Sequence, residues 1–286
     1  MVEGKNMGII DFRFRPVGTQ SITRELTYEY LRKMRLQPAQ SFVKQSVELM
    51  FQEMDQANIE MAVIGVPAPT DKPGFASSSN EQIRKYIIKY PKRFLGLASL
   101  DISSPESCLD GIDRAKDDGM IGVTVEPSTA RVPMRFDDRR LYPIYEKLQK
   151  NGTLLVTVMS ALLGPYMDDC KPEWVDHVAT DFPEMRIIIQ HGGWPYSREA
   201  VGVAFKQPNV FLVPGQYMHY EFPGSEDYIR GLNRQLSEQI LFGSVYPNCG
   251  PLSEVIDIVD NLGIADSEKK EKYLEGNAKR ILGLTF

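Results

Sequence analysis

The fold class this sequence predicts is α/β, a (β/α)8 TIM barrel, and three observations predict it. Short runs rich in β-branched and apolar residues recur along the chain, eight in all, with segments of helical spacing between them. The runs are nearly continuous in apolar character, as expected of parallel strands covered on both faces. Strands alternating with helices imply βαβ units, and eight repeats of one unit imply a closed barrel. At 286 residues the chain is long enough for such a barrel to be its single domain, 1–286, and no linker or shift in composition divides it.

In chain order the strand runs are Gly8–Phe14, Met61–Val66, Phe94–Leu100, Met120–Val125, Thr153–Val158, Arg186–Gln190, Asn209–Val213 and Gln239–Gly243. Helical spacing is found at Ser41–Ala57, Asn80–Tyr90, Pro105–Asp118, Tyr142–Lys150, Glu173–Phe182 and Tyr228–Leu236, with a closing helix at Ser267–Leu282. Pro105 followed by Glu106 suits a first helical turn, and Gly119 and Gly152 each stop a helix just before a strand. The polar, basic stretch Thr23–Arg35 belongs to an insertion after the first strand, expected to lid the site. Two further loops follow strands, Pro67–Ser79 and Pro127–Arg140, the latter carrying Arg131, Arg135, Arg139 and Arg140. All three insertions belong to the C-terminal face, where barrel enzymes keep their chemistry.

Composition excludes several classes. Lys+Arg is 33 and Asp+Glu 38, a net charge of −5, so the chain lacks the basic footprint of a nucleic-acid or anionic-membrane binder. No apolar stretch approaches the ~20 residues needed to cross a bilayer, and MVEGKNMGII does not read as a signal peptide. Three scattered cysteines, Cys108, Cys170 and Cys249, fit neither a disulfide scaffold nor a zinc motif. These features point to a cytoplasmic protein; whether it forms a homo-oligomer is open. No G-x-G-x-x-G turn follows a strand and no Walker loop is present, so no nucleotide cofactor is expected.

On the first strand, alternation puts Asp11, Arg13 and Arg15 on one face and Phe12 and Phe14 on the other. The phenylalanines suit the sheet–helix layer, leaving Asp11, Arg13 and Arg15 facing the barrel axis. Buried guanidinium groups need carboxylates or an anionic ligand beside them. Either Asp11 and Glu126 pair with the arginines, or an arginine grips a substrate carboxylate with bidentate geometry.

This strand resembles the D-x-H-x-H opening of the amidohydrolase superfamily, with Arg13 and Arg15 in place of its histidines. Residues 90–100 (YPKRFLGLASL), 189–195 (IQHGGWP), 240–247 (ILFGSVYP) and 276–282 (GNAKRIL) extend the likeness almost end to end. They resemble the amidohydrolase-related family that contains aminocarboxymuconate-semialdehyde decarboxylase and related hydrolases and decarboxylases. The resemblance implies a metal-dependent-hydrolase-like barrel. It also implies metal ligands from strand-one histidines, histidines on strands five and six, and an aspartate after strand eight. Here strand five offers none, strand eight offers Val245, and only His191 on strand six remains. Arg and Val cannot ligate zinc or manganese, so no metal and no cofactor are expected.

What remains is a different chemical set. His191 is the candidate general acid/base, or a residue kept for hydrogen bonding. Glu126 is a base or the counter-ion of Arg13 or Arg15. Tyr217 and Tyr246 close strands seven and eight, as hydrogen-bond or proton donors or as packing under the loops. His219 follows strand seven within reach of the site, Trp194 walls the pocket, and His177 belongs to an outer helix. Cys249 has no evident adjacent base to make it a nucleophile. The leading expectation is therefore a metal-independent hydrolase of a small carboxylated substrate, a lactone or related acyl compound. His191, Glu126 and Tyr246 would be catalytic, and Arg13, Arg15, Trp194, Tyr217 and His219 would bind substrate. A decarboxylase or other lyase of a small aromatic or unsaturated acid, and a non-catalytic carboxylate-binding pseudoenzyme, are the alternatives.

Overall fold

A computed structural model of the chain describes residues 8–19, 23–67, 79–159 and 165–284. Most of the loop expected at Pro67–Ser79 lies outside them. Seven strands, β1 (Ile9–Phe14), β2 (Ile59–Ile64), β3 (Phe94–Ser99), β4 (Gly122–Val125), β5 (Leu154–Val158), β6 (Ile187–Gln190) and β7 (Val210–Val213), pair in parallel and in chain order. The expected eighth strand is not a regular ladder. Its segment bridges β7 at Leu212–Ile240 and β1 at Phe14–Tyr246, both in parallel sense. The Phe12 N–H donates to the Phe242 carbonyl at 2.9 Å, and the Leu241 N–H to the Leu212 carbonyl at 2.9 Å, so the ring is closed on both sides. The ladder is interrupted because the Ser244 N–H donates to the Asp11 carboxylate, at 3.0 Å, instead of to a main-chain carbonyl. The next residue, Val245, turns to φ 69°, which ends the extended run.

Two apolar layers follow from strand alternation. Met61, Val63, Leu97, Leu154, Val156, Ile188, Phe211 and Val213 fill the barrel interior, with Ala278 and Ile281 packed on the same cluster. The opposite faces, such as Ala62, Leu155, Ile187 and Leu212, pack with helix residues including Met50, Ile83, Ile144 and Val178. Phe12 corrects the expected facing: it lies in the inner cluster and Phe14 in the outer one. Strict alternation fails because the β1–β2 register shifts between Asp11 and Phe14. Asp11 spans this irregularity, accepting from the Arg13 N–H at 2.9 Å as well as from Ser244.

The helices follow the spacing closely, with two breaks. The stretch expected as one helix at Ser41–Ala57 is two, Gln40–Lys44 and Val47–Gln56, parted by Gln45 in the left-handed region. The terminal helix is interrupted by a wider turn at Lys272–Gly276. The insertion after β1 forms the helix Arg24–Lys33, N-capped by the Thr23 hydroxyl. Among the described residues, no helix is long and apolar enough to cross a membrane.

Candidate functional site

The C-terminal ends of β1, β4 and β6 bring Arg13, Arg15, Glu126, Gln190 and His191 to the barrel mouth. The local sequence builds this closely. Gly243 on the closing segment lies against β1, where a Cβ would come 2.9 Å from the Cβ of Arg13 and 2.6 Å from Val213, so no larger residue fits. Gln190 follows Ile188 by two residues on β6 and therefore faces inward. Its carboxamide oxygen accepts from one terminal nitrogen of Arg13, and its amide donates to the Phe12 carbonyl at 3.0 Å. The other terminal nitrogen of Arg13 lies 3.2 Å from Nε2 of His191. His191 itself sits at φ 64°, a left-handed turn at the strand end.

Electrostatics set the states of these groups. Burial, reinforced by the charge of Arg15, pushes Arg13 down to about 9, while Glu126, Tyr217 and Asp11 oppose the shift. Burial lowers Arg15 too, with Glu126 opposing. His191 is held well below the ordinary imidazole range by burial and then by the charges of Arg13 and Arg15. Asp11 is raised to about 6 by burial, against its hydrogen bonds to Ser244 and Arg13. Glu126 is 2% exposed and Oε2 accepts from the Thr129 hydroxyl at 3.3 Å. Facing two cations from inside the barrel, it stands as their counter-ion. Among the described residues, the Nε of Arg15 is buried without a hydrogen-bond partner, as is Nδ1 of His191.

An aromatic wall adjoins His191. The Tyr217 ring meets it edge-on at 5.5 Å and stacks on Trp194 at 4.7 Å, and Trp194 donates to the Pro223 carbonyl at 3.1 Å. Tyr30, on the insertion helix, is held in its neutral form by burial and by the charges that Tyr217 and Cys249 would carry.

Two expected site residues lie away from His191, although Tyr246 lines, with Arg15, a cavity beneath the insertion. The Tyr246 ring stacks on Phe14 at 4.5 Å in the sheet–helix layer, and its hydroxyl is 2.6 Å from that of Ser41, which donates to Glu53. It is not aimed at His191. His219 stacks on Phe242, and its Nε2 is 2.7 Å from the Tyr273 hydroxyl; burial pushes its pKa to about 3. Both side chains turn to the outer layer because the chain leaves the sheet through left-handed residues, Val245 for the first and Gly215 at φ 57° for the second. Cys249 is buried and its thiol is pushed up by that burial, so it has no thiolate character. His177 lies on its outer helix, 2.8 Å from Asp137. The arginines after β4 are satisfied at the surface: Arg131 pairs with Asp101, Arg135 with Asp137, Arg139 with Asp181 and Arg140 with Asp138.

Residues that pattern reading passed over are Gln190, Ser244 and Thr124. Parity with Ile188 was the available signal for Gln190. Thr124 joins Arg13, Arg15, Val63, Leu97 and Gln190 around a space of about 10 Å³ on the barrel axis. Arg15 also borders a separate cavity of about 300 Å³ beneath the insertion.

A parallel α/β barrel with its polar cluster at the C-terminal strand ends defines the class. Residues 35–284 match the model of the amidohydrolase family, and the chain belongs to that family. It is similar to an uncharacterized TIM-barrel protein from Bordetella bronchiseptica, with 33% identity, 96% of this chain and 98% of that one covered, and a TM-score of 0.89. It is 22% identical to the 2-amino-3-carboxymuconate-6-semialdehyde decarboxylase of Dictyostelium discoideum, over 83% of this chain and 76% of that protein. It also shares its fold with a dihydroxybenzoic acid decarboxylase from Polaromonas sp. that holds manganese and 2-nitroresorcinol, at 19% identity, 97% coverage of both chains and a TM-score of 0.69.

The residues present here do not fit such an ion. A divalent cation needs lone pairs, whereas Arg13 and Arg15 present only N–H donors. The Nε2 of His191 is already turned to Arg13. Among the described residues, no three His, Cys, Asp or Glu side chains converge on a common point.

Proposed function

We propose that this protein is a carboxy-lyase acting on a small aromatic or unsaturated acid, with the substrate carboxylate held by Arg15 beside Arg13. The observation that carries the reading is the buried Nε of Arg15, unpartnered among the described residues, in a cluster where Glu126 faces both guanidinium groups and Asp11 acts on Arg13 alone. Such a site is completed by an anion. Hydrolysis of an acyl bond would require a base to activate water. His191 is poorly suited to that, since its Nε2 lone pair faces an Arg13 N–H and its basicity is depressed. Loss of carbon dioxide needs no activated water: the bond to the carboxyl carbon breaks, its electron pair stays on the substrate carbon, and that carbon takes up a proton from solvent; the relatives named above as decarboxylases favour it. In this reading His191 is a neutral donor through Nδ1, and Trp194 and Tyr217 shape the apolar wall.

The test is incubation of the protein with a panel of aromatic and unsaturated carboxylic acids, followed by detection of released carbon dioxide by mass spectrometry. Release that disappears in Arg15→Met supports the proposal. Turnover of lactones or esters, with none of the acids, would restore the hydrolase reading; binding without turnover would favour a pseudoenzyme.

A further inference from the structure

We infer that the small space on the barrel axis, lined by Arg13 and Arg15, is a binding site for a halide ion, chloride in ordinary solution. The space measures about 10 Å³, which admits one water or a monatomic ion of nearly that size and excludes an organic acid. Its polar side chains are Arg13, Arg15, Thr124 and Gln190, and the other side chains around it are apolar. Arg15 is 8% exposed, and its Nε is buried without a partner among the described residues.

What fills such a space follows from the hydrogen-bonding groups that face it. Guanidinium groups only donate. The carboxamide of Gln190 is engaged at both ends, its oxygen by Arg13 and its amide by the Phe12 carbonyl at 3.0 Å. That leaves the Thr124 hydroxyl as the side-chain acceptor, and a hydroxyl donates equally well. A water here would therefore find donors in excess and few acceptors for its own two protons. A halide only accepts, has no preferred direction, and takes several donors at once. Charge favours the same occupant. Arg15 disfavours the charge on Arg13, and Glu126, the carboxylate that acts on both, is not part of the wall of this space. A negative ion inside it relieves the repulsion between the two arginines. An ion held there draws on the guanidinium read above as the carboxylate anchor, so halide and substrate compete. The site itself does not depend on that reading; the competition rests on it.

Chlorine NMR line widths test this on the wild-type chain, on Arg15→Met and on Thr124→Val, with gluconate holding the ionic strength constant. The wild type should broaden the chloride line in a saturable way, and bromide should remove the excess width more effectively than iodide, the larger ion. Arg15→Met should weaken chloride binding roughly ten- to hundredfold and Thr124→Val roughly two- to tenfold. The threonine variant, uncharged and of the same shape, carries the test should the arginine variant fail to fold. Benzoate should narrow the line by displacing chloride. Broadening that never saturates, that iodide removes best, as loose surface adsorption would have it, or that is unchanged in both variants overturns the halide site. Benzoate affinity, read by calorimetry, that depends on Arg15 in a protein that binds no chloride overturns the halide site alone. Chloride binding that depends on Arg15 and is indifferent to saturating benzoate keeps the halide site and overturns the competition.

Discussion

A terminal nitrogen of Arg13 lies 3.2 Å from Nε2 of His191, and this contact fixes the tautomer of the imidazole. Guanidinium only donates, so Nε2 must carry the lone pair and Nδ1 the proton. Two neighbouring cations and burial then oppose a second proton. Nitrogen-detected NMR should show His191 as the neutral Nδ1–H form, with no titration between about pH 8 and 6. A His191 resonance that titrates near 6.5 would return it to the role of general base. In Arg13→Met the constraint is lifted and the tautomers should mix.

Stability should fall on the acid side of neutrality, by a sign that can be worked out. His191 and His219 have folded pKa values below the unfolded one, the latter at about 3, so the unfolded chain takes up their protons first as pH drops through about 6.5. That destabilises the fold. Asp11, raised from 3.8 to about 6, acts oppositely: its contribution is full below 3.8 and is lost as pH rises through about 6. Two histidines against one aspartate leave an excess of about one proton in the unfolded state. These groups should therefore lower stability as pH falls below about 6. Urea midpoints measured across that window check it; a midpoint that rises on acidification would contradict it.

Arg13 and Arg15 should separate in mutation. Arg13 serves Gln190 and His191, so Arg13→Met leaves two buried acceptors unpaired, while Arg15 still faces Glu126. At about 1–3 kcal/mol for each acceptor, a loss of about 2–6 kcal/mol of stability is expected. Arg15 has an unpartnered Nε, and Arg13 still faces Glu126 without it. Arg15→Met should keep its melting temperature and lose about 2–5 kcal/mol of carboxylate affinity. Equal, intact ligand affinity in both variants would make the pair purely structural.

The barrel was legible because its strands are short apolar runs at regular spacing, and the observed β1 to β7 fall within one or two residues of those runs. The eighth was drawn as a strand, but a side chain from β1 captures the N–H of Ser244, and no periodicity carries that information. The same irregularity turned Phe12 inward. Arg13, Arg15, Glu126 and His191 were legible as a cluster because they stand at or just beyond strand ends. Tyr246 and His219 were not, because side-chain direction beyond a strand depends on single left-handed residues, Val245 and Gly215.

Metal content is a further point of decision. The guanidinium groups at the end of β1 bring positive charge to the place where a cation would need donors, and they repel it. Elemental analysis of the purified protein should give well under one manganese, zinc or iron per chain, and a chelator should leave both melting temperature and turnover unchanged. One metal per chain, lost to the chelator together with stability, would mean that residues outside those described complete a site.

Asp11 should act as the fastener of the barrel seam. Its Oδ1 accepts from the N–H of Arg13 at 2.9 Å and of Ser244 at 3.0 Å, joining β1 to the closing segment where the regular ladder fails. Asp11→Leu leaves both donors buried without acceptors, at about 1–3 kcal/mol each, and should lower stability by roughly the sum. Asp11→Asn keeps an acceptor oxygen at the same position and should cost much less. It also removes the ionisable group, so the opposing acid-side contribution vanishes and the loss of stability on acidification should steepen. Hydrogen exchange at the amides of Arg13 and Ser244 gives a local readout, with fast exchange expected in the leucine variant alone. If Asp11→Leu is as stable as the wild type and both amides stay protected, the seam is held by main-chain bridges without the carboxylate.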